Sequence, residues 1–111
     1  VYIMKKYLFI VLSVSLSWGQ VEEGISYYAS GLKKHQRPYE NKVANGKWIY
    51  WYDNGQKWIE GNYKDGLQVG NWNTWYQNGQ KSIEGSYKHN ERNGEWTFYK
   101  EDGTVYEVKE Y

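Results

Sequence analysis

Apolar positions follow two regimes along the chain. From Tyr7 to Leu16 they run almost unbroken, as YLFIVLSVSL, behind Met4-Lys5-Lys6. After Gln20 they come in short aromatic bursts, such as Lys47-Trp-Ile-Tyr-Trp-Tyr52, separated by Gly, Asn and Asp. Short runs of strand-forming residues bounded by turn residues predict β-hairpins. No apolar stripe recurs at helical spacing after Gln20, so helix is not expected there.

The first regime has the order of a secretory signal peptide: a basic start, about ten apolar residues, then small residues. Ser17 and Gly19 suit the positions before a cut between Gly19 and Gln20, and a leader helix is expected over residues 1–19. The apolar run is too short to span a bilayer comfortably, so no stable membrane span is expected once the leader is cut. No Cys follows it to carry a lipid. The alternative is that this run forms a first strand. Export would place residues 20–111 in the periplasm, at the cell surface or outside the cell.

The second regime repeats with a step of 24 residues. Gly46-Lys47-Trp48 returns as Gly70-Asn71-Trp72 and Gly94-Glu95-Trp96, and Trp51 returns as Trp75 and Tyr99. Asn54-Gly55 returns as Asn78-Gly79 and Asp102-Gly103, and Ile59-Glu60-Gly61 as Ile83-Glu84-Gly85. A degenerate earlier copy lies upstream, with Tyr27-Tyr28 at the place of Trp51-Tyr52 and Tyr39 at the place of Tyr63. The copies span 22–45, 46–69, 70–93 and 94–111, and atypical end copies suit the caps of a stack.

Each copy reads as two strands. Asn54-Gly55 predicts a type I′ turn between them, because both residues tolerate positive φ. Asp65-Gly66 begins the connection to the next copy. Strands following one another this closely predict a single elongated antiparallel meander, with equivalent residues roughly 9.6 Å apart. Three rows then run across it: Trp48, Trp72 and Trp96; Trp51, Trp75 and Tyr99; and Tyr39, Tyr63, Tyr87 and Tyr111. Alternation puts Trp48 and Trp51 on opposite faces unless a bulge intervenes. Gly61 and Gly85 are expected to leave room for a ring from the neighbouring strand.

Composition sharpens this all-β picture. Aromatic residues make up 20% of the chain, while only eleven Val, Ile and Leu residues follow Gln20. That is too few aliphatic side chains for an ordinary two-layer core. Rings must therefore cover the sheet, each contributing about 2–3 kcal/mol where buried. Without Lys5 and Lys6 the chain carries 12 basic against 13 acidic residues. Such a balance lacks the basic excess that drives phosphate contact, so nucleic acid is not an expected partner. With no Cys, disulfides and thiolate metal sites are excluded.

Candidate chemistry is sparse. His35 and His89 occupy different repeat positions, with no ligand-like spacing. His89 is expected in a turn. Glu60 and Glu84 could suggest the paired carboxylates of glycoside hydrolysis. The plainer reading makes them cross-strand partners of Lys57 and Lys81. No catalytic residue, metal or cofactor is expected, and the chain does not read as an enzyme.

The unit G-x-W-x-x-[WY]-Y-x-N-G-Q-K-x-x-E-G-x-Y-x-x-G appears here as GKWIYWYDNGQKWIEGNYKDG and GNWNTWYQNGQKSIEGSYKHN. It resembles the MORN-repeat variant (membrane occupation and recognition nexus), including the YwqK-type antitoxin-like arrays. The last copy departs from it at Lys100 and Glu107, consistent with a capping role. The resemblance implies a β-meander used for protein contact or membrane-associated scaffolding, and no catalytic residue. The expected function is that of an exported protein-interaction or scaffolding module. Trp48, Trp51, Trp72, Trp75, Trp96 and Tyr99 are the candidate contact residues, with Trp58 ranked below them because its counterpart is Ser82. A glycan- or cell-wall-binding module using the same rows is the alternative, and an immunity role against an exported toxin is a further one. Against all of these stands the plain reading that the rings simply form the core of a thin sheet.

Overall fold

A computed structural model describes residues 10–16 and 19–111, with side chains from Gln20 onward. The elements are β1 (Ile10–Leu16), β2 (Gly19–Tyr27), β3 (Lys33–Glu40), β4 (Val43–Ala44), β5 (Gly46–Trp51), β6 (Lys57–Lys64), β7 (Leu67–Trp75), β8 (Lys81–Lys88), β9 (Glu91–Tyr99) and β10 (Val105–Glu110). They form one open antiparallel sheet in the order β1-β2-β3-β5-β6-β7-β8-β9-β10, with β4 paired to β3. The expected all-β meander is therefore what the chain builds. The hairpins β2–β3, β5–β6, β7–β8 and β9–β10 correspond to the four sequence copies.

The leader helix is expected over residues 1–19, of which residues 1–9, 17 and 18 lie outside the described residues. Within the same stretch, Ile10–Leu16 is a strand, paired with β2 from Ile10 opposite Ile25 to Leu16 opposite Gly19. Its IVLSVSL sequence is rich in β-branched residues and contains no Gly, Pro, Asn or Asp.

The two sheet margins carry different turns. Asn54-Gly55 does not form the expected type I′ pair. Of the two, only Gly55 has positive φ, at 89°. Gly55 N–H donates to Tyr52 O at 3.1 Å and Tyr52 N–H to Gln56 O at 2.8 Å, which closes a three-residue loop. A type I turn followed by a left-handed glycine is the usual form of such a loop. The double positive-φ turns lie at the opposite margin, at Asn41-Lys42, Asp65-Gly66 and His89-Asn90. His89 is in a turn, as its neighbours predicted.

Bulges recur with the repeat. Tyr50 faces Ile59 while Trp51 faces Lys57, which leaves Trp58 as the extra residue. The same slip leaves Lys34, Ser82 and Tyr106 unpaired in the other hairpins. Each bulge brings residues three apart on the returning strand to one face. Lys57 and Glu60 are therefore neighbours along β6 at 2.8 Å, and Lys81 and Glu84 along β8 at 2.7 Å. This corrects the cross-strand pairing expected for them. The cross-strand cation is Lys47, at 3.2 Å from Glu60.

The sheet is one layer, and the molecule measures 46 × 37 × 12 Å. Among the described residues, Trp96 is the one large apolar side chain that is buried, at 4% exposure. Stability comes from side chains packed along the faces and from bonds between copies. Tyr28 donates its hydroxyl to Trp51 O, Tyr52 to Trp75 O and Tyr76 to Tyr99 O, at 2.7, 2.7 and 2.6 Å. Asn54 and Asn78 reach Gln77 O and Glu101 O, each at 2.9 Å. Every copy is thereby fastened to the one after it.

Candidate functional site

Register divides the candidate residues between two faces. Trp48 and Trp51 lie three apart in β5, and the bulge beside them falls on β6. Strand alternation therefore sends them to opposite sides. The six candidate residues separate accordingly: Trp48, Trp72 and Trp96 on one face, Trp51, Trp75 and Tyr99 on the other.

On the first face, two of the expected rows merge into one ladder. Tyr39, Trp48, Tyr63, Trp72, Tyr87, Trp96 and Tyr111 follow one another at centroid distances of 5.5, 4.5, 5.3, 5.7, 5.0 and 6.2 Å. Most contacts are edge-to-face, the arrangement that aligns ring edges with electron-rich faces. The ladder needs Gly61 and Gly85. A Cβ on either would fall inside the indole of Trp72 or Trp96 respectively. The expectation that these glycines make room for rings is met. In the first copy Arg37 occupies the equivalent position, and its guanidinium lies 5.9 Å from the centre of Trp48. At the far end Arg92 sits 4.5 Å from Trp96 and 5.3 Å from Tyr111, donating to the Tyr111 hydroxyl at 2.9 Å.

Trp58 also belongs to this side. Its bulge carries it against Tyr52, stacked at 5.5 Å, and Tyr50, edge-on at 6.2 Å. At 43% exposure it is the one exposed tryptophan among the described residues. The repeat pattern places it below the repeating tryptophans, because its counterpart is Ser82. A usable mark was present, because a bulky ring stood where the next copy has serine.

The second face is more polar. The ammonium of Lys33 lies 5.7 Å from the Trp51 ring and that of Lys57 5.9 Å from Trp75. Glu60 is held below its ordinary pKa first by the Lys57 hydrogen bond and further by Lys47, against the opposing effect of burial. Glu84 is lowered by Lys81 and then by the Tyr99 hydroxyl. Both carboxyls are shifted away from the protonated form that a general acid requires. His35 pairs with Tyr50 across β3 and β5, and burial lowers its pKa, with help from the Arg37 charge.

Toward β9 the polar face opens into a trough of about 420 Å³ lined by Asn71, Asn73, Lys81, Glu84, Ser86, Glu95 and Thr97. Its floor is the register itself. Asn73, Glu84 and Thr97 face one another across β7, β8 and β9, and so do Asn71, Ser86 and Asn93. Among the described residues no group of three or more His, Asp or Glu side chains is placed to hold a metal ion.

A sheet of stacked two-strand units with a step of 24 is a repeat architecture, and the sequence profile of the MORN repeat variant matches residues 44–65, 68–89 and 92–111. The chain belongs to the MORN repeat variant family. No curated protein and no solved structure matches it. MORN repeats are generally modules of protein or membrane contact. The three matched MORN units correspond to the hairpins β5–β6, β7–β8 and β9–β10. The hairpin β2–β3 lies outside the matches, yet its Tyr28 is bonded to the first matched unit as Tyr52 and Tyr76 are bonded to later ones.

Proposed function

We propose that this MORN-repeat chain is an exported protein-interaction module whose contact surface is centred on Trp58. The observation that carries this reading is an exposed indole, displaced by a bulge, backed by Tyr50 and Tyr52. Leu32, 44% exposed, lies on the same margin beside Gly55. Aromatic anchors held rigid by neighbouring rings are the usual centre of binding energy in protein contacts. The thin sheet supplies a stiff base, because each copy is bonded to the next. Export is supported by the basic start and apolar run of residues 4–16. An immunity role against an exported toxin would be one contact of this kind.

The test is capture of a partner by the purified chain from the envelope fraction of its own cell, compared with Trp58→Ser. Serine is what the next copy carries at this position, so the sheet is expected to keep its fold. One dominant partner, lost in the variant, is the expected result. Capture that Trp58→Ser leaves unchanged would move the contact elsewhere, and a partner found only in the cytosolic fraction would rule out the exported role.

A further inference from the structure

The polar face is covered in one copy and open in the next. In the copy that begins at Gly46, Lys47 reaches across to Glu60 at 3.2 Å, with Ile49 two residues along the same face. One step later those positions hold Asn71 and Asn73. Both are smaller than the residues they replace and neither is charged. The trough over β7, β8 and β9 lies where that cover is missing.

Its hydrogen-bonding capacity is mixed. Ser86 donates to Asn71 Oδ1 at 2.8 Å, which leaves the Asn71 N–H₂ group as a donor. Lys81 engages Glu84 Oε2 at 2.7 Å, and Tyr99 donates to Glu84 Oε1. The Asn73 amide and the Thr97 hydroxyl each offer both a donor and an acceptor. Two strand spacings make the trough roughly 10 Å across. At the end nearer the three-residue loops, Trp75 faces Lys81 on this side of the sheet. Tyr99 stands on the same face two strands from Trp75.

We propose that this trough is a saccharide-binding site that takes a neutral oligosaccharide. Sugar hydroxyls donate and accept at neighbouring positions, which matches a lining of amides and hydroxyls. The C–H face of a pyranose matches the flanking rings of Trp75 and Tyr99. An apolar ligand would find little to bury against, because apolar side chains are absent from the lining. An anionic one would meet Glu84 and Glu95 with Lys81 already engaged. The site is independent of the Trp58 surface, which lies on the other face.

The experiment is an NMR titration of the ¹⁵N-labelled chain with cellotetraose and, separately, with the tetramer of N-acetylglucosamine. Saturable shifts are expected at the Asn71 and Asn73 side-chain amides and the Trp75 indole N–H with at least one of these sugars. The double variant Asn71→Lys, Asn73→Ile installs the residues of the preceding copy and closes the trough on a sequence the fold already accommodates. It should weaken binding by about tenfold or more, the loss expected from one or two net hydrogen bonds. Absence of saturable shifts with both sugars would overturn the proposal. So would binding that the double variant leaves intact, or shifts confined to the ladder face. Trp58→Ser should leave sugar binding unchanged while abolishing partner capture, so the two readings can fail separately.

Discussion

Gly85→Ala tests the ring ladder most directly. Gly85 does not have positive φ, so its backbone accepts alanine without strain. The space is the obstacle, because a Cβ there would overlap Cδ2, Cε2 and Cγ of Trp96. That indole is 4% exposed and cannot simply slide. Tyr87 and Tyr111 meet it edge-on at 5.0 and 6.2 Å, Arg92 covers it, and its Nε1 donates to Ser86 O at 3.1 Å. If the strands gave way, overpacking would cost about 1–3 kcal/mol. The overlap runs through the ring, so expulsion of the indole is the larger effect. It forfeits about 2–3 kcal/mol of burial and about 1 kcal/mol each of aromatic pairing and hydrogen bonding. Reduced freedom of the unfolded chain offsets about 0.4–1 kcal/mol. A net loss of about 3–5 kcal/mol is expected, a large share of the stability of a small domain. Urea unfolding followed by tryptophan fluorescence and far-ultraviolet circular dichroism measures it. In a Trp96→Leu background the same alanine should be close to neutral, because the ring it displaces is gone. A cost below about 1 kcal/mol in the parent chain, or the same cost in both backgrounds, would refute the reasoning.

Tyr52→Phe and Tyr76→Phe each remove a hydroxyl bonded to the next copy and leave a part-buried carbonyl without that donor. Each should cost about 1 kcal/mol in urea unfolding, whereas Tyr106→Phe, at an exposed bulge, should cost nothing measurable. Glu60 and Glu84 have folded pKa values below the ordinary 4.5. The unfolded chain therefore binds more protons in that range, so their contribution is present above pH 4.5 and is lost as pH falls through the lowered folded values. The double variant Glu60→Gln, Glu84→Gln should lose less stability on acidification than the parent, as read from melting temperatures across that range. Acrylamide should quench Trp58 preferentially, so Trp58→Ser should remove most of the quenchable fluorescence contributed by residues 20–111.

Much of the fold was legible because the copies repeat residue types at a fixed step. Gly61 and Gly85 pointed to ring contacts, and the contacts are there. The merging of two rows into one ladder was less visible, since it depends on where Tyr63 and Tyr87 sit diagonally to Trp48 and Trp72. The bulges were hidden for a physical reason. They are set by which backbone groups pair, and the residues they leave over, Lys34, Trp58, Ser82 and Tyr106, share no chemistry. One indirect mark existed: Lys57-Glu60 and Lys81-Glu84 can share a face in a strand only if a residue between them is skipped. Asn54-Gly55 misled because the dipeptide favours a two-residue turn in isolation, while the Tyr52–Gln56 pairing imposes a three-residue one. The trough could be read only after register placed Asn71, Asn73, Ser86 and Thr97 on one surface.

The fourth copy departs from the others at the positions that fasten one copy to the next. Tyr28, Tyr52 and Tyr76 each bind a carbonyl one copy onward, and position 100 holds lysine instead. Asn54 and Asn78 donate one copy onward, and position 102 holds aspartate, which when ionised can only accept. Ile59 and Ile83 each have a paired strand on both sides, whereas Glu107, at the same position, is paired only with Phe98. A charge in place of isoleucine, with Lys109 3.7 Å away, is a common way to discourage a further strand from adding to an edge. These departures remove the side chains that fasten each earlier copy to the next and place charge along β10. The exposed Trp58 and the polar trough lie instead on the two broad faces of the sheet.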